Sequence, residues 1–115
     1  MSPIDVTRAI PTDSATSFDR WLQRHGGSEP DVVVAIHKAS SGEQTVTLLE
    51  LQEVALCHGW VDTQTKRIDE KRYAIRFVPR RHGSTWGEKN RAMARRLLDQ
   101  GRVRTSGMAT LPPDL

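Results

Sequence analysis

Residues Val32-Val33-Val34-Ala35-Ile36 form an apolar run without the polar alternation of a half-solvated strand. Such a short, largely β-branched run predicts a buried strand in the centre of its sheet. What surrounds it is helical. Phe18, Trp21, Leu22 and His25 recur at helical spacing, predicting a helix over 14–25 that ends at a left-handed backbone in Gly26-Gly27. After Ser40-Ser41-Gly42 comes Thr47-x-x-Glu50, the pattern of a capping box. The helix it opens carries Leu48, Leu51 and Ala55 and stops at Gly59. Trp60-Val61-Asp62 then reads as extended chain.

Tyr73, Ile75 and Phe77 alternate with Ala74, Arg76 and Val78, the period-2 mark of a strand, which Pro79 closes. A second capping pattern, Thr85-x-x-Glu88, predicts a last helix from about Trp86 to Gln100. It sets Trp86, Asn90, Met93 and Leu97 on one face. The expected class is α+β: a small antiparallel sheet packed against about three helices in a single domain. Residues 1–13, with Pro3 and Pro11 and no periodicity, read as a flexible leader. The domain proper spans 14–111, and 112–115 form a tail.

The 115 residues suit one domain. A single cysteine, Cys57, excludes an internal disulfide framework and any zinc site built on two thiolates. No membrane span is expected, because no apolar run approaches the ~20 residues that a bilayer needs. The first residues lack the pattern of a secretory signal, so a reduced, cytoplasmic setting is expected. The four histidines show no HxH or HxxxH spacing, and neither a metal nor a cofactor is predicted. Adjacent Cys57 and His58 diverge by about 100° on a helix, so they cannot form a thiolate–imidazole pair with each other. Cys57 reads as a small buried residue.

Three segments concentrate polar and aromatic residues near the ends of elements. They are Ala55-Leu56-Cys57-His58-Gly59-Trp60-Val61-Asp62, Arg76-Phe77-Val78-Pro79-Arg80-Arg81, and Ser84-Thr85-Trp86-Gly87-Glu88-Lys89-Asn90. With Gly101-Arg102 after them, and Phe18, Trp21, Leu22 and Lys38 before, they resemble the bacterial YdeI/OmpD-associated, or bacteriocin-protection, family. The likeness covers roughly residues 14–111 and departs from the family pattern at Val61, Thr63, Gly87 and Val103. It implies a small protein linked to antimicrobial or stress tolerance, with no defined chemistry.

Lys38, Trp60, Asp62, Arg80, Ser84, Trp86 and Asn90 are therefore the candidate ligand-binding residues. An apolar wall with a few fixed hydrogen-bonding groups is what a small-molecule site needs. The same residues also suit a structural arrangement, with Asp62 and Arg80 paired across the hairpin and Ser84 capping the last helix. An enzyme reading makes Asp62 an acid or base with Arg80 or Asn90 as its electrostatic partner.

Charge supplies another reading. Residues 66–104 hold 13 Lys and Arg against 4 Asp and Glu, a net +9, whereas residues 1–65 hold 4 against 9, a net −5. Arg81, Lys89, Arg91 and Arg95 are the candidate polyanion-binding residues, for weak nucleic-acid contact. Partial pairing of the basic half with the acidic half, within the chain or head-to-tail in a homo-oligomer, is the alternative. The partner is thus an unknown small ligand or protein, a nucleic acid, or a second copy.

Overall fold

The computed structural model describes residues 3–115. In chain order the elements are β1 (Ile10–Pro11), α1 (Ala15–His25), β2 (Val32–His37), α2 (Leu48–Cys57), β3 (Trp60–Arg67), β4 (Arg72–Pro79), α3 (Glu88–Asp99) and α4 (Thr105–Met108). The strands form one sheet of order β1-β2-β4-β3, so the Val32 run is interior as expected. β1 runs parallel to β2 and the other pairings are antiparallel. The class is α+β, with a mixed sheet rather than a wholly antiparallel one.

Side chains along β2 divide between two faces. Val32, Val34 and Ile36 join Phe18 and Leu22 of α1, Leu51 and Val54 of α2, and Ile75 and Phe77 of β4 in the main core. Phe18 and Phe77 lie ring to ring at 4.9 Å. Val33 and Ala74 point the other way, onto Ile4. A third cluster joins Leu56 and Cys57 at the end of α2 to Met93, Ala94 and Leu97 of α3, with Trp86, Val103, Leu111 and Leu115 against it. That cluster also holds the last residue of the predicted tail.

The predicted leader is corrected for the residues described; Met1 and Ser2 lie outside them. Ile4 is 5% exposed, and Val6 and Ala9 pack beside it on the sheet face that carries Val33. Ile10 and Pro11 pair with Val34 and Ala35. Pro11 has no N–H to donate, which confines it to an edge strand such as this one. Periodicity missed the segment because it contributes only two strand residues, too few to show a period.

Helix starts and stops follow local chemistry with two exceptions. Ser14 caps α1 by accepting the Ser17 N–H, and the Thr47–Glu50 capping box forms in full. At α3 the Thr85–Glu88 box does not form, and Gly87 is the N-cap without a side-chain bond. Trp86 is held outside the helix by Arg80 and the third cluster, so the first turn begins at Glu88. Gly26 keeps a right-handed φ of −62°, and α1 ends instead in a turn where Ser28 and Glu29 donate to His25 O. Gly59 is left-handed, with φ +80°, and reverses the chain from α2 into β3.

The β3–β4 turn is ordered by Asp69, whose carboxylate accepts the N–H groups of Lys71 and Arg72 at 2.9 and 2.8 Å. No helix among the described residues is long and apolar enough to cross a membrane.

Candidate functional site

The helices cover one face of the sheet, and the N-terminal segment covers only part of the other. Val61 pairs with Val78, and Arg76 with Val33. Their strand neighbours Asp62, Phe77 and Val32 face the helices, so these residues point away from them. On this second face lies a cleft of about 670 Å³, lined by Pro30, Val61, Thr63, Arg76, Val78, Pro79, Arg80, Arg81 and Ser84. Its floor is apolar and its basic groups are three arginines.

Arg80 extends the strand pairing past Pro79, donating its N–H to Gly59 O at 2.8 Å. This fixes its backbone. Its guanidinium carbon lies 3.9 Å from the centroid of a Trp86 ring, a cation–π stack that holds the planar group flat. Burial pushes the Arg80 guanidinium below its ordinary pKa, and the charge of Asp62 opposes that shift. Among the described residues, its side chain makes no hydrogen bond or ion pair. Two atoms of the cleft wall, Arg80 Nε and Ser84 Oγ, are buried without a partner.

Arg8 and Arg76 are committed. Asp31 accepts from Arg8 at 2.7 Å and from Arg76 at 2.9 Å. The Arg8 hydrogen bond, against an opposing effect of burial and with help from Arg76, holds the Asp31 carboxyl below the ordinary range.

Of the seven predicted ligand residues, the structure brings together Arg80, Ser84 and Trp86. Trp60 is 3% exposed within the main core, edge-on to Trp21 at 6.0 Å. Asp62 points to the helix side and accepts from Gln52 Nε2 at 3.3 Å. It does not line the Arg80 cleft, and it forms no direct ion pair with Arg80. Asn90 is half-buried on α3, outside the cleft lining. Lys38 follows β2 at the end where His37 meets Arg72. Phe77 of β4 meets Val32 at the opposite end of the sheet, and Arg80 lies beyond it. Pro30, Val61, Thr63, Arg76 and Val78 were absent from the prediction, because which face of a hairpin stays uncovered is not a local property.

A second arrangement was missed by sequence reasoning. His58, buried at the end of α2, has Nε2 2.7 Å from Asp19 Oδ1, and Asp19 Oδ2 accepts from Arg104 at 3.1 Å. Burial alone would raise the Asp19 carboxyl, but the His58 hydrogen bond and the charge of Arg104 outweigh it and hold the group low. Clefts of about 480 and 430 Å³ flank Arg104, the first reaching Cys57 and the second His58 and Trp60. Cys57 is buried, and burial pushes its thiol up, which disfavours the reactive thiolate.

Among the described residues, four of the thirteen cations of the basic half pair with carboxylates of the acidic half. Arg96 pairs with Glu53, Arg104 with Asp19, Lys71 with Glu43 and Arg76 with Asp31. Of the predicted polyanion residues, Arg91 is taken up by Asp114. Arg81, Lys89 and Arg95 are exposed and make no ion pair among the described residues. No group of three or more His, Cys, Asp or Glu side chains among the described residues could hold a metal ion.

Residues 10–110 match the family model described as a domain of unknown function, DUF8412. The chain belongs to that family. No curated protein and no solved structure matches it. The DUF8412 match begins at the first residue of β1 and runs past α4, so it takes in the Arg80 cleft and the His58 network alike.

Proposed function

We propose that this DUF8412 domain is a small binding module that receives its ligand on the open sheet face, at Arg80 and Ser84. The carrying observation is a cleft whose wall contains two buried polar atoms without partners, Arg80 Nε and Ser84 Oγ. Leaving such atoms unmet costs about 1–3 kcal/mol each, a cost that a ligand or an ordered water in the cleft would offset once the two side chains turn toward it. The apolar floor of Pro30, Val61 and Val78 supplies the desolvated surface that a small-molecule site uses. The resemblance to the YdeI/OmpD-associated family supports a role in antimicrobial or stress tolerance in a bacterial cytoplasm.

Backbone-amide NMR during titration with a metabolite library tests the reading. Binding should move the resonances of Val61, Val78, Arg80 and Ser84 together. A library that leaves all four in place removes it.

A second reading, weak polyanion binding, rests on three of the four predicted residues, Arg81, Lys89 and Arg95, which are exposed and make no ion pair among the described residues.

A further inference from the structure

The chemistry of the ligand can be narrowed from the charge balance of the cleft, an inference that rests on the cleft being the binding site. Six arginines of this fold, at positions 8, 72, 76, 91, 96 and 104, are paired with carboxylates. Arg80 is half-buried, and its side chain has no such partner among the described residues. It is also the one guanidinium among them that is stacked on an indole. Among the described residues, no acidic side chain lines the cleft. The charge of Arg76 there is already answered by Asp31, whereas Arg80 and Arg81 form no direct ion pair among the described residues.

We propose that the cleft binds a small molecule bearing a terminal oxyanion, a carboxylate or a phosphate, with a short apolar body. The oxyanion would meet the flat guanidinium of Arg80, and the body would lie on Val61, Val78 and Pro30. Ser84 adds a rotatable hydroxyl beside the guanidinium, and Arg81 a second positive charge at the rim. A planar fork held by stacking suits an oxyanion better than a point charge on a flexible stem does. A half-buried cation that feels Asp62 only at a distance, with no direct ion pair, can still take an anionic partner.

The experiment titrates the full chain with hexanoate, phenyl phosphate, inorganic phosphate and the uncharged hexanol, followed by NMR of amide and arginine Nε–H groups. Hexanoate or phenyl phosphate should shift Arg80 Nε–H together with Val61 and Val78, and should bind at least about tenfold more tightly than hexanol. Inorganic phosphate, lacking the body, should bind more weakly than phenyl phosphate. Arg80→Gln should erase the preference for the anion, and Arg80→Lys should weaken it by about tenfold, with resonances of α1 and β2 unchanged to show that the fold persists.

Hexanol shifting the same residues with equal affinity would overturn the oxyanion assignment while leaving the binding cleft in place. Anions that shift Lys89 and Arg95 instead of Arg80 would also overturn it. Failure of every compound, in the library as well as here, would remove the cleft itself.

Discussion

His58 Nε2 lies 2.7 Å from Asp19 Oδ1, joining the end of α2 to the middle of α1 across 39 residues of chain. A carboxylate in this place selects the tautomer with its proton on Nε2 and satisfies a ring that has little access to water. Asp19 also holds Arg104, whose side chain is 46% exposed. The two partners therefore differ in what they lose when Asp19 goes. Asp19→Ala should destabilise the protein by about 1–3 kcal/mol, chiefly through the buried imidazole. Arg104→Ala should cost less than about 1 kcal/mol, as exposed pairs do. Urea denaturation checks the order, and equal losses would contradict it.

Asp31 gives the fold a sensitivity to acid. Its carboxyl sits below the ordinary value of 3.8, drawn down first by Arg8 and then by Arg76 against the effect of burial. The unfolded chain thus takes up this proton at higher pH than the folded one. The stabilisation is complete above 3.8 and is lost as pH falls through the lower folded value. Asp19 acts in the same direction. The urea midpoint should therefore fall below pH 3.8, and Asp31→Asn should flatten that acid limb. An unchanged limb in the variant would count against the role given to Asp31.

Two left-handed glycines separate backbone strain from crowding. Gly59 has φ +80° and Gly83 φ +72°. A Cβ on Gly59 would lie 2.7 Å from Ser106 O, whereas one on Gly83 would meet nothing within 4 Å. Gly83→Ala should cost only the left-handed penalty, about 1–2 kcal/mol. Gly59→Ala should cost clearly more, because α4 must move as well. Similar values for both would mean that α4 is not seated firmly against this turn.

Polyanion binding, if it occurs, should be shallow in its salt dependence. With Arg91 held by Asp114, only Arg81, Lys89 and Arg95 of the four predicted residues have no carboxylate partner. Three phosphate contacts correspond to a slope of about −2.7 in log K against log salt. Duplex DNA titrated at several salt concentrations measures it. A slope steeper than about −5 would show that cations beyond these three, such as Lys66, Arg67 and Arg102, join the contact.

What the sequence makes readable here is local. Thr47 and the β-branched run at Val32 each act on neighbouring residues, and the structure has both in the expected role. The sheet order and the uncovered face depend on how the β3–β4 hairpin meets β2 and the N-terminal segment, which no window of residues contains. Arg80, Ser84 and Trp86 come together, while Trp60 and Asp62, on the helix-facing side of β3, do not join them. Lys38 was grouped with the others by motif, and strand register carries it to the far end of the sheet. Asp19 and His58 offered no shared motif, only membership of an acidic half that needed partners.

The pairing of the two halves sets a timetable for synthesis. Arg104 reaches back 85 residues to Asp19, and Arg76 reaches back 45 to Asp31. At about 5–20 residues per second, the first helix leaves the ribosome on the order of ten seconds before its arginine exists. While only residues 1–65 have been made, the chain carries a net −5 and its sheet lacks β4. Nascent chains stalled before residue 72 lack β4, and with it the strand that joins β2 to β3.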